Sequence, residues 1–308
     1  MMRLSEIQNK GLVWINVPKR EENVLRAIQR RFNFHDQEIQ ECLPKIQRTK
    51  FVKRDGYYFV VLHFPVFNKK TKRLGFTEID FFISGSTLIT VHDNSLPIVD
   101  IFYKECAKNS GLRERFFQGT ATHLLLELLR RLLDSVFPIL LHVSEDIDAV
   151  DKKMFAEISG RVMAEEILRL KTNVVNFRKT MQGHKTVLEK LVTHGGRELD
   201  MSSYQNYVNT LREYTNEIWH TLESQKESVN ALHETNESLV GLRTNEVMRF
   251  LTVISVVTFP LTLLATLFAI RAPGNPLINQ PFGFWAILII IIFGAVLMTA
   301  VFKKKKWL

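Results

Sequence analysis

Phe250 to Ile270 reads FLTVISVVTFPLTLLATLFAI, 21 residues without an ionisable side chain. At about 1.5 Å per residue, a helix of that length spans roughly 31 Å, the hydrocarbon thickness of a bilayer. A second uncharged stretch, Gly283 to Phe302, reads GFWAILIIIIFGAVLMTAVF. Helices in soluble cores are rarely apolar on every face for so long, so the pair predicts two membrane-spanning helices. The connector Arg271–Phe282 (RAPGNPLINQPF) is rich in Pro, Gly and Asn and reads as a loop. Lys303–Lys306 follow the second span, and Arg243 and Arg249 precede the first. The excess of positive charge on cytoplasmic flanks puts both chain ends inside and the connector outside. Trp285 and Trp307 sit near opposite ends of the second span, as interfacial aromatics do.

Outward from the spans, the chain changes character. Residues 1–249 are charge-rich, whereas 250–302 contain a single charged residue, Arg271. The first residues, MMRLSEIQNKG, hold no apolar run of the kind a secretory signal needs. The large N-terminal portion is therefore expected to be cytoplasmic. The two cysteines, Cys42 and Cys106, are too few for a disulfide framework, which agrees with a reducing compartment. A net charge of +9 raises the question of nucleic acid. Apart from Lys303–Lys306, however, the positive charge is scattered, and neither zinc-finger spacing nor an RNA-binding aromatic signature accompanies it. A solvated surface plus a membrane-flanking cluster accounts for it, with no nucleic-acid partner.

Residues 1–95 read as mixed α/β. Leu12–Val17 is strand-like and Glu21–Phe32 helical. Lys50–Arg54 and Tyr57–Phe64 flank Asp55-Gly56 and form a predicted hairpin, and Thr77–Ile83 with Thr87–His92 across Ser84-Gly85-Ser86 form another. The expectation is a packed sandwich. There is no Gly-rich phosphate loop, nucleophile elbow or metal-spaced His/Cys cluster, so no catalytic residue is assigned and an enzyme is not expected. Beyond about residue 98 the chain reads as helix, with breaks at Gly160, Gly183 and Gly195-Gly196. Tyr204, Val208, Leu211, Ile218, Leu222, Val229, Leu232 and Leu239 recur at spacings of three, four or seven, with Gln225 and Asn236 at two further positions of the same seam. No proline interrupts this seam before the first span. It must pack on copies of itself or on the helices of residues 120–190. The predicted organisation is a cytoplasmic α/β domain (1–110), cytoplasmic helices (111–202), a stalk helix (203–270) continuing into the first span (250–270), an external loop (271–282), a second span (283–302) and a basic cytoplasmic tail (303–308).

Around the start of the first span the chain reads TNEVMRFLTVISVVTFPLTLLATLFAI. This resembles the CorA magnesium transporter family, whose run here is NEVMK-x-LT, seven residues, PLT, then a Tyr-Gly-Met-Asn mouth. The matching residues are Asn245-Glu246-Val247-Met248, Leu251-Thr252 and Pro260-Leu261-Thr262, and the end FKKKKWL is also similar to that family. The resemblance implies a funnel-shaped homopentamer in the cell (inner or plasma) membrane, in contact with lipid, moving divalent cations with Mg²⁺ foremost. Mg²⁺ is then a substrate, and no covalent cofactor is implied. Carried over without gaps, the pore-facing positions are Asn245, Met248, Leu251, Ser255, Phe259, Thr262, Thr266 and Ala269. Their spacing of three or four independently sets them on one helical face, a face that ordinary helix–helix packing also produces.

The chain departs from the family at the mouth. Ala269-Ile270-Arg271 stands where Gly-Met-Asn is expected, after Phe268 in the Tyr position, and the external loop lacks an acidic residue. Two readings of Arg271 remain open: a positive pore entrance, or a side chain reaching lipid headgroups. The first implies altered selectivity or a non-conducting regulatory relative. The family's acidic regulatory metal site between subunits maps to Glu41 and Thr210. Thr210 is not a carboxylate, so the resemblance gives at most a weak metal position at Glu41.

Overall fold

The computed structural model describes residues 5–43, 47–118, 120–155, 160–195, 199–270 and 281–305. The chain divides into two compact units, Met1–His233 and Glu234–Leu308.

The first unit is organised by one six-stranded sheet. Its strands are β1 (Glu6–Asn9), β2 (Leu12–Val17), β3 (Lys50–Arg54), β4 (Tyr57–Asn68), β5 (Arg73–Ile83) and β6 (Thr87–Val91), in the order β1-β2-β6-β5-β4-β3. Only β2 and β6 pair in parallel. The Asp55-Gly56 turn closes the β3–β4 hairpin with Gly56 at φ +80°, a left-handed conformation that glycine adopts without strain. The second expected hairpin, β5–β6, is also present. The expected packed sandwich is not: among the described residues the strands form one sheet, and helices pack on it. A parallel pair needs a crossover, and the segment between β2 and β6 supplies α1 (Glu22–Phe32) and α2 (Asp36–Glu41). These cover one face, where Leu25, Ile28 and Ile39 join Ile15, Phe59, Val61, Phe82 and Ile89 in one apolar cluster.

β4 runs on to Asn68, past the expected end at Phe64. Pro65 cannot donate a ladder hydrogen bond, which argues against a central strand. It is accommodated because β3 ends opposite Val61, leaving that end of β4 as an edge. Residues 62–68 pair with β5 alone.

The helices α3 (Pro97–Lys108), α4 (Ser110–Phe116), α5 (Ala121–Asp134), α6 (Phe137–Met154), α7 (Gly160–Met181) and α8 (His184–His194) follow. α7 lies on β4 and β5, and α8 on β3. Asn173 of α7 is fully committed to the sheet: its Oδ1 accepts from Leu74 N at 2.9 Å and its Nδ2 donates to Lys72 O at 2.9 Å.

After a 3₁₀ turn at Met201–Tyr204, α9 runs unbroken from Gln205 to Ala269, about 100 Å of helix. Its seam residues Val208, Leu211, Ile218, Leu222, Val229 and Leu232 are each 6% exposed or less. Gln225, at a polar seam position, donates to Leu140 O at 2.8 Å and Ser144 Oγ at 2.9 Å on α6. Arg178 of α7 pairs with Glu223 at 2.7 Å and stacks over Trp219. Of the two packing partners left open by the sequence, the seam as far as Leu232 uses helices of its own chain. The second unit contains the remainder of α9 and α10 (Gly283–Lys304), both long and apolar enough to cross a membrane.

Candidate ion pathway

The candidate positions from Asn245 to Ala269 all lie on the apolar part of α9. Successive residues on a helix turn by 100°, so steps of three and four keep them on one face. That face is unclaimed by the chain itself: Met248 is 60% exposed, Leu251 56% and Phe259 74%. Asn245, Thr262, Thr266 and Ala269 are also exposed, and Ser255 is half-buried. On the opposite side Phe250 (59%) and Leu264 (37%) are exposed too, but Val253 is not. Val253 is 6% exposed, and two turns further on Leu261 faces Gly294 of α10, where an added Cβ would stand 3.0 Å from Leu261 Cδ2. A small residue there lets two apolar helices approach closely.

Two hydroxyls of the exposed face bond to carbonyls of their own helix. Thr262 Oγ1 donates to Thr258 O at 2.9 Å, and Thr266 Oγ1 donates to Leu263 O at 2.9 Å. Each hydroxyl thereby disposes of its proton locally, and its oxygen lone pairs stay available outward. Such oxygens accept hydrogen bonds from the water shell of a cation. Met248, Leu251 and Phe259 place apolar side chains between these polar levels. Pro260 sits inside α9 and removes one backbone donor from its ladder. Arg271 lies outside the described residues.

Glu41 sits on α2 and Thr210 on α9. Glu41 is ion-paired with Lys50, and Thr210 Oγ1 donates to Asn206 O at 3.0 Å. Neighbouring Glu38 is likewise matched, by Arg54 at 2.6 Å. Among the described residues, no group of three or more His, Cys, Asp or Glu side chains is placed to hold a metal ion.

A feature unread in the sequence is a buried charged cluster. Arg20 Nη1 lies 2.8 Å from Glu78 and 2.9 Å from Asp80, and His63 Nε2 lies 3.3 Å from Glu78. Burial pushes the Asp80 carboxyl up to about 8 despite Arg20. Burial also opposes ionisation of Glu78, yet bonds from His63 and the Gln47 amide, with the charge of Arg20, hold it below the usual carboxylate range. The cluster ties the segment after β2 to β4 and β5. The alternation Thr77-Glu78-Ile79-Asp80 puts both carboxylates on one face of a strand that reads as buried, and that pattern was the available signal.

The CorA-like Mg²⁺ transporter family model matches residues 9–304. The cobalt/magnesium transport protein CorA of Thermotoga maritima is 25% identical, over 96% of this chain and 83% of its own length. Among solved structures, the CorA magnesium transporter of Methanocaldococcus jannaschii superposes with a TM-score of 0.83 at 18% identity, covering 99% of this chain and 95% of that one. The full-length CmaX protein superposes with a TM-score of 0.74 at 17% identity, over 96% and 89% of the two chains. These two share the fold: an N-terminal α/β domain, a long helix and two membrane-type helices. Family membership makes the chain an ion transporter of the membrane rather than an enzyme, with Mg²⁺ or other divalent cations as the substrate class. With the match running through both units, this chain belongs to the CorA-like Mg²⁺ transporter family.

Proposed function

We propose that the chain is the subunit of a homopentamer whose α9 helices line an axial pathway for divalent cations, Mg²⁺ foremost, moving down their gradient. One observation carries this reading: the face from Asn245 to Ala269 is left exposed by its own chain while the opposite face contains buried Val253. Oxygen-bearing side chains recur along that exposed face. Mg²⁺ gives up its water reluctantly, so a pathway suited to it offers acceptors to the hydrated ion rather than a dry cage. Asn245, Ser255, Thr262 and Thr266 offer them. Met248, Leu251 and Phe259 close the pathway by dewetting when the helices draw together. Both chain ends are cytoplasmic, and the membrane is the cell's inner or plasma membrane. The cytoplasmic basic ends, Arg243, Arg249 and Lys303–Lys306, support this orientation.

A second reading, altered selectivity or loss of conduction, is favoured by Arg271 in the place of the family's mouth asparagine. Two unit charges about 4 Å apart interact by roughly 1 kcal/mol in water, and more beside a low-dielectric wall. Five arginines facing a divalent ion multiply that repulsion. Flux of Mg²⁺, Zn²⁺, Co²⁺ and chloride into liposomes separates the readings. Changing Ala269→Gly, Ile270→Met and Arg271→Asn together should raise divalent flux and make it sensitive to cobalt hexaammine. Arg271→Asn alone should raise it less. Equal fluxes for all three proteins at matched pentamer content rule out Arg271 as an entrance barrier. Divalent flux at the liposome background for all three rules out the cation pathway itself.

A further inference from the structure

The turn from α7 to α8 and the start of β3 enclose a half-open cavity of about 590 Å³. Its walls come from segments far apart in the chain: residues 47–51, His63 of β4, Phe76 of β5, and residues 179–190. Gly183 makes the closure possible, because a Cβ at that position would collide with the Thr49 side chain.

The charge of this cavity has one sign. Arg48, Lys50, Lys179 and Lys190 line it and no carboxylate does. Lys50 is neutralised by Glu41. Among the described residues Arg48, Lys179 and Lys190 make no ion pair, which leaves a surplus of three positive charges. A further feature points to an anion. The 11-residue helix α8 begins at the cavity wall with Gly183 as its cap and no side chain satisfying its first N–H groups. Those donors and the positive end of the helix dipole favour negative charge. The same cavity also has flat apolar wall: Phe51 lines it, and Phe76 lines it while 42% exposed.

We infer that this cavity is a binding site for a phosphorylated small molecule bearing an aromatic ring, of the nucleotide class. Lys179, Lys190 and Arg48 meet the phosphates as point charges and a planar fork, and the α8 N-terminus supplies hydrogen bonds. Phe76 and Phe51 receive the ring by stacking, which is tolerant of base identity. A bare divalent cation is repelled from it, so the ligand is of opposite sign to the cargo of the membrane unit.

Calorimetric titration of the full-length protein in detergent, with EDTA present, tests this independently of transport. The probes are ATP, pyrophosphate, inorganic phosphate and adenosine. ATP should bind saturably and more tightly than pyrophosphate, with inorganic phosphate weaker still and adenosine undetectable. Lys179→Glu with Lys190→Glu, both at exposed positions, should weaken ATP and pyrophosphate by about tenfold or more. Phe76→Ala should weaken ATP by about five- to tenfold and leave pyrophosphate unchanged. The control pair Lys152→Glu and Lys153→Glu, exposed on α6 and outside the cavity, should change neither. Absence of saturable ATP binding overturns the site. So does equal weakening by the control pair, which would mean attraction to bulk charge. Equal affinity for ATP and pyrophosphate, unmoved by Phe76→Ala, overturns the nucleotide assignment.

Discussion

Two stretches of the same helix carry apolar residues at the same spacing and meet opposite fates. Between Val208 and Leu232 of α9 the apolar stripe is buried within its own chain, down to 0% exposure at Leu211, Ile218 and Leu222, with α5, α6, α7 and α8 all touching this stretch. Between Met248 and Leu267 the apolar residues stay largely open, with Met248, Leu251, Phe259, Leu263 and Leu267 all above half exposed. Periodicity alone treats the two alike. The structure separates a stretch that its own chain covers from a stretch that it leaves open. The heptad seam therefore demands no second copy as far as Leu232, and the case for a pentamer rests on the residues beyond it.

The sharpest test of this contrast is a substitution in each stretch. Leu222→Asp should abolish folded protein, since an unpaired charge at a fully buried site finds no compensation. Leu222→Ala should cost about 2–5 kcal/mol in thermal unfolding of the purified chain. Phe259→Ala should change stability by no more than about 0.5 kcal/mol. Equal losses at the two positions would erase the distinction between the stretches.

Thiol accessibility probes the two faces of the open stretch. Cys42 and Cys106 are both buried, so an engineered cysteine reports alone. Thr262→Cys should react with a hydrophilic thiol reagent at least about tenfold faster than Val253→Cys, because water reaches a pathway and not a helix–helix contact. Faster reaction at position 253 would place the pathway on the wrong face.

The copy number follows. The detergent-solubilised protein should have a mass of about five times 35.8 kDa, measured by light scattering with detergent subtracted. A stable monomer would remove the partners that the open stretch requires.

The smallest effect belongs to the buried cluster of the first unit. Burial pushes the Asp80 carboxyl up to about 8 from its ordinary 3.8, so between those values the folded chain holds a proton that the unfolded chain has lost. Its contribution is fully present below the lower value and is lost as pH rises through 8, at up to about 1.4 kcal/mol per pH unit. Glu78 has the opposite sign, with stability lost as pH falls below its ordinary range. Asp80→Asn should therefore flatten the fall in melting temperature between pH 6 and 8. An unchanged slope would show that Asp80 is not the group responsible.

Much of this was legible in the amino-acid order. Asp55-Gly56 and Ser84-Gly85-Ser86 announce their hairpins because turn chemistry is local, and Gly160, Gly183 and Gly195 mark helix ends for the same reason. The short edge strand Glu6–Asn9 is mostly polar and carries no strand pattern of its own. The far half of β4 was hidden by Pro65, whose tolerance depends on where β3 stops. The partner of the seam was hidden because a period tells which face is buried, not by what. The cavity at Gly183 joins four segments and has no local signature. The pathway positions were read from resemblance and spacing, and α9 gives each of them a helical place without giving them neighbours.

The exposed face of α9 has one consequence for energetics. From Asn245 to Ala269 its eight positions are Asn, Met, Leu, Ser, Phe, Thr, Thr and Ala, and none of them takes up or releases a proton near neutral pH. A pathway lined this way has no acid–base relay with which to trade protons for metal ions. Transport along the proposed pathway would draw on the concentration gradient of the ion and the membrane voltage. A divalent ion gains about 4.6 kcal/mol per 100 mV from that voltage, twice the roughly 2.3 kcal/mol of a single charge.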